Sequence, residues 1–190
     1  TSFSRPVLIV DEAQEMQRAV LSELRLLASA RLDSHILLTV VLAGDGPSES
    51  RCRAIAPEGT WFAGPLSGEE LSAFYASADA FIFPSATETF GNVVLEAVAS
   101  GLPVVSPDRG ATMEIAREGT ALTFPAGDSH ALAGRVEWLL RDEVLRRSLR
   151  TAGLGESAGR TWDAVWDRLF SDYRVAAGLA EPEDAAARAA

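Results

Sequence analysis

The chain has 190 residues, of which 47% are hydrophobic and 23% are charged, a composition typical of a soluble globular domain. Its net charge of −10 argues against nucleic acid and anionic membranes as partners, since binding a phosphate backbone needs a basic surface. All 17 basic residues are arginine, which excludes any mechanism that needs a lysine, such as a Walker A phosphate-binding lysine or a Schiff base.

Short apolar runs alternate with amphipathic stretches along the chain. Continuously apolar runs of about four to eight residues predict buried strands, and apolar residues at helical spacing predict helices. In chain order, the predicted elements are a strand at 6–11, a helix at 12–31, a strand at 36–44, a helix at 47–56, a strand at 60–64, a helix at 67–78, a strand at 80–84, a helix at 91–100, a strand at 103–106, a helix at 111–118, a strand at 121–125, two helices within 128–153 and a last helix at 161–177.

Several element ends carry recognisable signals. Ser67 and Glu70 have the spacing of a capping box at the start of a helix, and Asp128 is placed to cap another. Gly101 predicts the end of the helix at 91–100. A stretch rich in glycine and serine, 153–159, is predicted to separate the last helix from the one before it.

The alternation of elements predicts the fold class. Continuously apolar strands separated by helices are typical of a parallel sheet covered by helices on both faces, so we predict a Rossmann-like three-layer α/β fold. We predict that residues 1–180 form a single domain and that residues 181–190 are a disordered tail. Such sheets bind ligands outside the carboxyl ends of their strands. The candidate site therefore lies in the loops after residues 11, 44, 64, 84, 106 and 125.

The sequence gives no indication of a disulfide framework, a metal site, a membrane span or a signal peptide. Cys52 is the one cysteine, so no disulfide framework or cysteine-based metal site is expected. His35 and His130 lack a metal-binding spacing, and we expect no metal. No apolar run reaches the roughly 18 residues of a membrane span, and the first residues, TSFSRP, do not resemble a signal peptide. These features predict a cytoplasmic protein.

Residues 36–175 resemble the C-terminal, donor-binding domain of retaining GT-B glycosyltransferases of the large family-4 type. The matching segments follow in the family's order: LAGDGP (42–47), WFAGPLSGEELSAFYASADAFIFPS (61–85), TETFGNVVLEAVASGLPVVSPDRGATMEI (87–115), ALTFPAGDSHALAGRVEWLLRD (121–142) and TWDAVWDRLFSDYR (161–174). The resemblance implies half of a GT-B architecture, which binds a nucleotide-sugar donor as substrate and needs no cofactor.

Two glutamates bracket the start of the helix at 91–100. By this resemblance, Glu88 faces the donor sugar as the catalytic carboxylate, and Glu96 binds the ribose, whose paired hydroxyls suit a carboxylate acceptor. Between them, Phe90, Gly91 and Asn92 begin the helix, where unpaired N–H groups and the helix dipole favour phosphate and hydroxyl groups. The alternative is that Glu88 only stabilises the dipole at the N-terminus of the helix and that Glu96 is a solvated helix residue.

Two further loops join the predicted site by resemblance. SPDRGATMEI (106–115) is similar to the family's Gly-Gly-x-x-Glu loop, in which Gly110 matches the first glycine and Ala111 replaces the second. Arg109 is either a phosphate ligand or a solvated loop residue. Gly44 and Gly46 either lie near the nucleotide or only permit a tight turn.

Residues 5–45 resemble a second family instead. RPVLIVDEAQEMQRAVLSELRLLASARLDSHILLTVVLAGD resembles the Walker B strand, the following helix and the next strand of an AAA+ ATPase. We therefore favour a chimera, natural or engineered, over a divergent glycosyltransferase whose first unit happens to contain VDEAQ. ATP hydrolysis is not expected, because the chain has no G-x-x-x-x-G-K-[ST] loop.

The first unit also affects the predicted activity. The resemblance implies an Arg and Lys pair there that stabilises the leaving diphosphate, but this chain has Asp11 and Glu12. We therefore predict a donor-binding domain with incomplete catalytic activity; the alternatives are a chimeric scaffold without activity and, less favoured, a Mg-dependent ATPase fragment. The aromatic residues of 161–177 form a helical stripe that packs either on its own sheet or on a second copy, as a homodimer.

Overall fold

The computed structural model describes residues 6–11, 39–44, 49–56, 58–86 and 90–179. The strands within them are β1 (Val7–Val10), β2 (Thr39–Ala43), β3 (Trp61–Gly64), β4 (Ala80–Ile82), β5 (Val104–Pro107) and β6 (Ala121–Phe124). The helices are α1 (Glu49–Ile55), α2 (Gly68–Ser77), α3 (Asn92–Ala99), α4 (Ser129–Arg141), α5 (Glu143–Ala158) and α6 (Trp162–Ala176). The helix predicted at 12–31 and the tail at 181–190 lie outside the described residues.

The strands form one parallel sheet in the order β3-β2-β1-β4-β5-β6. β1 lies at its centre, where Leu8 pairs with Val40 of β2 on one side and with Ala80 of β4 on the other. This order is the Rossmann arrangement, so the predicted fold class is confirmed. From β1 the following strands are added toward one edge of the sheet, and from β4 they are added toward the other edge. The topological switch point therefore lies between β1 and β4.

Helices cover both faces of the sheet, and strand residues alternate between two apolar clusters. Leu8 and Val10 lie in one cluster with side chains of α1, α4 and α5, and Ile9 lies in the other with side chains of α2 and α3. Because both faces are buried, the strands need apolar residues at every position. This explains why the sequence shows continuous apolar runs.

Some local predictions are corrected by the structure. The helix predicted at 111–118 is a short 3-10 turn, Ala111–Glu114. The stretch 153–159 does not separate two helices, because α5 continues to Ala158. Ser67 precedes α2 without a capping hydrogen bond from its side chain, whereas the Asp128 carboxylate does accept the N–H of Ala131 at 2.9 Å.

The chain divides into two compact units, Thr1–Leu154 and Gly155–Ala190. The first contains the sheet and the helices up to most of α5, and the second contains α6. No residue in α6 is buried within the described part of the chain. Among the described residues, none of the helices combines the length and apolar character needed to cross a membrane.

Candidate functional site

The candidate site lies at the carboxyl edge of the sheet, where β1 and β4 end side by side. The N–H of Asp11, just past β1, donates to the Ile82 carbonyl of β4 at 3.3 Å, and the N–H of Gly44 donates to the Gly64 carbonyl at 2.9 Å. These bonds bring the ends of β1, β2, β3 and β4 to one edge. In open parallel sheets, the crevice at such a switch point is where ligands bind.

The start of α3 faces this edge. Gly91 precedes the helix with a left-handed backbone, φ 86° and ψ 33°, which glycine adopts readily. Its carbonyl accepts the N–H groups of Val94 and Leu95 at 3.0 and 3.1 Å. Asn92 is exposed and Phe90 is 58% exposed. The first N–H groups of a helix lack partners within it and carry partial positive charge, so this terminus can bind an anion or a hydroxyl.

The loop after β5 packs directly against the loop after β4 and against the start of α3. A Cβ atom on Gly110, whose φ is +91°, would lie 2.9 Å from the Ala86 carbonyl oxygen. A Cβ atom on Gly91 would lie 3.1 Å from Cγ2 of Thr112. Only glycine allows these backbones to approach so closely, and the sequence has glycine at both contacts.

A buried pair of hydroxyl groups fixes the same loop from beneath. Ser106 and Thr112 are 0% and 1% exposed, and the Ser106 hydroxyl donates to Thr112 Oγ1 at 3.2 Å. This bond links the end of β5 to the 3-10 turn that follows Gly110. Nothing in the sequence marks this pair, because a spacing of six residues in a loop carries no recognisable signal.

Glu96 lies farther along α3, on its exposed side. At about 1.5 Å of rise per residue, its Cα lies roughly 6–8 Å from the helix start, so a side chain there can reach a ligand held at the N-terminus. Tyr75 of α2 is buried nearby, with its hydroxyl 3.5 Å from the Val93 carbonyl of α3. Burial raises the pKa of Tyr75, and the carboxylates of Glu96 and Asp11 raise it further.

The other predicted residues have different outcomes. The structure brings Gly91 and the loop containing Gly110 together, and Ala111 begins the adjoining 3-10 turn. Arg109 is an exposed residue of the same loop. Gly44 is exposed and lies beside Asp11, since a Cβ atom there would be 4.0 Å from Asp11 Oδ1. Glu88 and Gly46 lie outside the described residues, so their predicted roles stay predictions.

A family model described as glycosyl transferases group 1 matches residues 9–142. The chain belongs to this family. The match begins within β1 and includes β2. Residues 9–45, most of the segment that resembles an AAA+ ATPase, therefore lie inside the match to the glycosyl transferase family. The AAA+ resemblance of residues 5–45 and the chimera interpretation therefore have no support.

The chain is similar to two curated glycosyltransferases over about three quarters of its length. A GDP-mannose-dependent alpha-mannosyltransferase of Mycobacterium tuberculosis is 36% identical over 141 residues, which cover 73% of this chain and 36% of the relative. The sulfoquinovosyl transferase SQD2 of Arabidopsis thaliana is 35% identical over 143 residues, covering 73% of this chain and 28% of the relative. This group 1 chain thus spans about a third of the length of the relatives it matches.

A solved structure shows the same fold at lower identity. Anabaena HepE in complex with UDP and glucose has a TM-score of 0.72 and 18% identity, with 90% of this chain and 48% of HepE covered. At this identity the likeness shows the fold alone. Together with the strand order, it confirms the Rossmann-like half of a GT-B architecture.

Proposed function

We propose that this chain is the donor-binding domain of a glycosyltransferase and binds a nucleoside diphosphate or a nucleotide-sugar at the carboxyl edge of its sheet. The main observation in support is the contact between two glycine-containing backbones at that edge. The left-handed Gly91 at the start of α3 packs against Thr112, and Gly110 packs against Ala86. This arrangement brings two main-chain segments together at the carboxyl edge of the sheet, with no side chain at the point of closest approach.

Each part of the proposed site has a chemical task. The N-terminus of α3 offers N–H groups and positive potential to the diphosphate or to donor hydroxyls. Glu96 accepts hydrogen bonds from the two ribose hydroxyls. Glu88 would face the sugar, and Arg109 would supply positive charge beside Gly110. The nucleotide-sugar is the substrate in this proposal, and no separate cofactor is included.

We propose further that the 190 residues bind the donor without completing sugar transfer. A leaving diphosphate needs positive charge to stabilise it, yet the chain contains no lysine. Instead, a residue with a carboxylate side chain, Asp11, directly follows β1 at the switch point. The named relatives are about three times as long as the matched region, and we assign acceptor binding to the part of such proteins that has no counterpart here.

Isothermal titration with GDP and with UDP tests donor binding directly. We expect saturable binding of at least one of them and weaker binding of its 2′,3′-dideoxy analogue, because the analogue offers no ribose hydroxyls to Glu96. Glu96→Gln should weaken binding of the ribonucleotide about 10- to 100-fold, as expected for hydrogen bonds to a charged group worth about 1.5–3 kcal/mol. ATP with Mg²⁺ serves as the comparison ligand.

Glu143→Gln provides the matched control. Glu143 is also an exposed helical glutamate, but it follows the end of α4, at the edge of the sheet opposite to the candidate site. This variant should bind GDP and UDP as the wild type does. If no heat is detected at about millimolar nucleotide, roughly the weakest affinity such a titration resolves, the proposal is wrong and the inactive scaffold is favoured.

Two features of the whole protein complete the proposal. We infer that α6 associates with a second copy of the chain through its aromatic face, because Trp162 and Trp166 are 76% and 48% exposed. We also propose a cytoplasmic location, which cell fractionation would test. The sequence composition motivates this location, and a nucleotide-sugar donor is compatible with it.

A further inference from the structure

Tyr75 is a buried titratable group beneath the candidate site, and the proposed function so far gives it no role. It lies on α2 with 4% of its surface exposed. Its ring packs edge-to-face on Phe81 of β4, with ring centroids 5.7 Å apart and planes at 73°. The ring therefore packs between α2 and the sheet, and the hydroxyl extends toward α3.

The hydroxyl meets α3 at the turn that contains Glu96. The Tyr75 oxygen lies 3.5 Å from the Val93 carbonyl oxygen, and Val93 is three residues before Glu96, so the two are neighbours on the helix surface. Helical side chains tilt toward the N-terminus. The Glu96 side chain consequently extends back along the turn that the phenol contacts.

The charge environment agrees with this placement. After burial itself, the largest influence that raises the pKa of Tyr75 is the Glu96 carboxylate, followed by the Asp11 carboxylate. The phenol therefore stays protonated near neutral pH and keeps its O–H as a donor. The 3.5 Å contact between the two oxygens is at the long end of the hydrogen-bond range, and it links α2 to the turn of α3 that carries Glu96.

We propose that Tyr75 is a positioning residue for Glu96: its hydroxyl holds the Val93–Glu96 turn of α3 at the height where the Glu96 carboxylate meets the ribose hydroxyls. This inference rests on the proposed function of the edge as a nucleotide site. It assigns ribose selectivity partly to a residue that never touches the ligand. A purely structural role for Tyr75 would instead use its ring, which fills the core between α2 and β4.

Tyr75→Phe separates these two roles, because it removes the hydroxyl and keeps the ring. The measurement is the ratio of dissociation constants for the 2′,3′-dideoxy nucleotide and for the matching ribonucleotide, GDP or UDP, whichever binds more tightly. We expect the variant to lower this ratio about two- to fivefold, the lower part of the range for one net hydrogen bond, because this bond is long. Binding of the dideoxy nucleotide should stay within about twofold of wild type, as for a change that is independent of the ligand contact, because this nucleotide has no ribose hydroxyls for Glu96.

Tyr173→Phe is the control, since Tyr173 is the second of the two tyrosines and is 61% exposed on α6. It should leave the ratio unchanged. If Tyr75→Phe also leaves the ratio unchanged, or weakens both nucleotides equally, the positioning role is wrong while Glu96 can still bind ribose. A wild-type protein that does not distinguish the two nucleotides overturns the proposed ribose site and this inference together.

Discussion

The candidate site depends on residues without side chains more than on residues with them. Gly91 and Gly110 both have positive φ values, and both lie where an added Cβ would meet a neighbouring atom at 3.1 or 2.9 Å. At Gly110 the neighbour is the Ala86 carbonyl oxygen, which belongs to the backbone and cannot rotate away. We therefore expect this contact to be the least tolerant of substitution.

Gly110→Ala should destabilise the protein more than an alanine at a glycine with a similar φ but open surroundings. Gly119 provides this comparison, because its φ is +90° and a Cβ atom would meet nothing within 4 Å. A positive φ costs an alanine about 1–2 kcal/mol, and overpacking adds about 1–3 kcal/mol. We expect only Gly110→Ala to show both, as measured by the free energy of unfolding in urea. Equal losses in the two variants would contradict the close approach to Ala86.

The buried phenol of Tyr75 predicts a pH dependence of stability. Its pKa is raised in the folded protein, whereas in the unfolded chain it has the ordinary value near 10. Below about pH 10 both states keep the proton, and the stability from burying the neutral phenol is fully present. Above about pH 10 only the unfolded state loses the proton, so the free energy of unfolding should fall by about 1.4 kcal/mol per pH unit from this group.

The comparison of wild type with Tyr75→Phe isolates this effect. Urea unfolding at about pH 9 and about pH 11, on either side of the ordinary tyrosine pKa, should show a larger loss of stability for the wild type than for the variant. Absorbance titration in a Tyr173→Phe background, where Tyr75 is the single tyrosine, should show ionisation only as the protein unfolds. Ionisation of the folded protein near pH 10 would contradict the deep burial of the hydroxyl.

At the scale of elements, α3 is held in place by close packing from α5. Gly153 of α5 is buried, and a Cβ atom there would lie 3.0 Å from Cγ1 of Val98. Val98 belongs to α3, two residues after Glu96, and is 1% exposed. The glycine therefore lets α5 approach the helix that carries the proposed ribose ligand.

Two glycine substitutions in helices should have opposite effects. Gly134 lies within α4, is exposed, and an added Cβ atom meets nothing within 4 Å. Gly134→Ala should stabilise the protein by about 0.5–1 kcal/mol through helix propensity. Gly153→Ala gains the same propensity but displaces Val98, at a cost of about 1–3 kcal/mol. We expect a net loss in urea unfolding; stabilisation equal to that of Gly134→Ala would show that α5 does not pack tightly on α3.

These helices also show how far the sequence predicts structure. The strands were predicted because both faces of the sheet are buried, which makes the apolar runs continuous. The course of α5 through Gly153 and Gly155 was not predicted, since glycine usually weakens a helix. Its compensation, the contact of Gly153 with Val98, exists only in the folded protein. The 3-10 turn at Ala111–Glu114 was likewise assigned as a helix because its short apolar pattern fits both structures.

The residues of the candidate site also fall into two groups, those that the sequence indicates and those that only the structure reveals. The start of α3 and the loop containing Gly110 could be proposed from their resemblance to glycosyltransferase motifs, because each motif consists of residues that are close together in the chain. Tyr75, Ser106 and Thr112 could not, because each acts through a partner on another element. In the sequence, Tyr75 is only one apolar position of an amphipathic helix.

At the scale of the whole molecule, the fold joins two halves around the β1–β4 switch. In the first half, Asp11 follows β1 and Gly44 follows β2. The second half provides the start of α3 and the loop with Gly110. The site thus places a carboxylate on one side of the crevice and main-chain N–H groups on the other. This asymmetry agrees with the ligand we propose, because a nucleotide-sugar carries hydroxyl groups as well as negative charge.

The aromatic face of α6 predicts the oligomeric state of the chain. Trp162, Trp166 and Phe170 follow one another at four-residue spacing, with successive ring centroids 6.3 and 6.4 Å apart. Together with Tyr173 they are between 48% and 76% exposed. At roughly 150–250 Å² per aromatic side chain, this face offers on the order of 500 Å², which is less than the ~800 Å² per partner of a standard interface.

We therefore expect a weak dimer that forms as the protein is concentrated. Sedimentation equilibrium should show the mass rising from 20.2 kDa toward twice that value as the concentration goes from about 1 μM to about 1 mM, the range of weak association. Trp166→Glu should keep the chain monomeric, because it places a charge in the apolar face. Trp138→Glu is the matched control, since Trp138 is 46% exposed on α4 and should leave the association unchanged. A wild-type chain that stays monomeric throughout, or equal effects of the two variants, would show that α6 is not the interface.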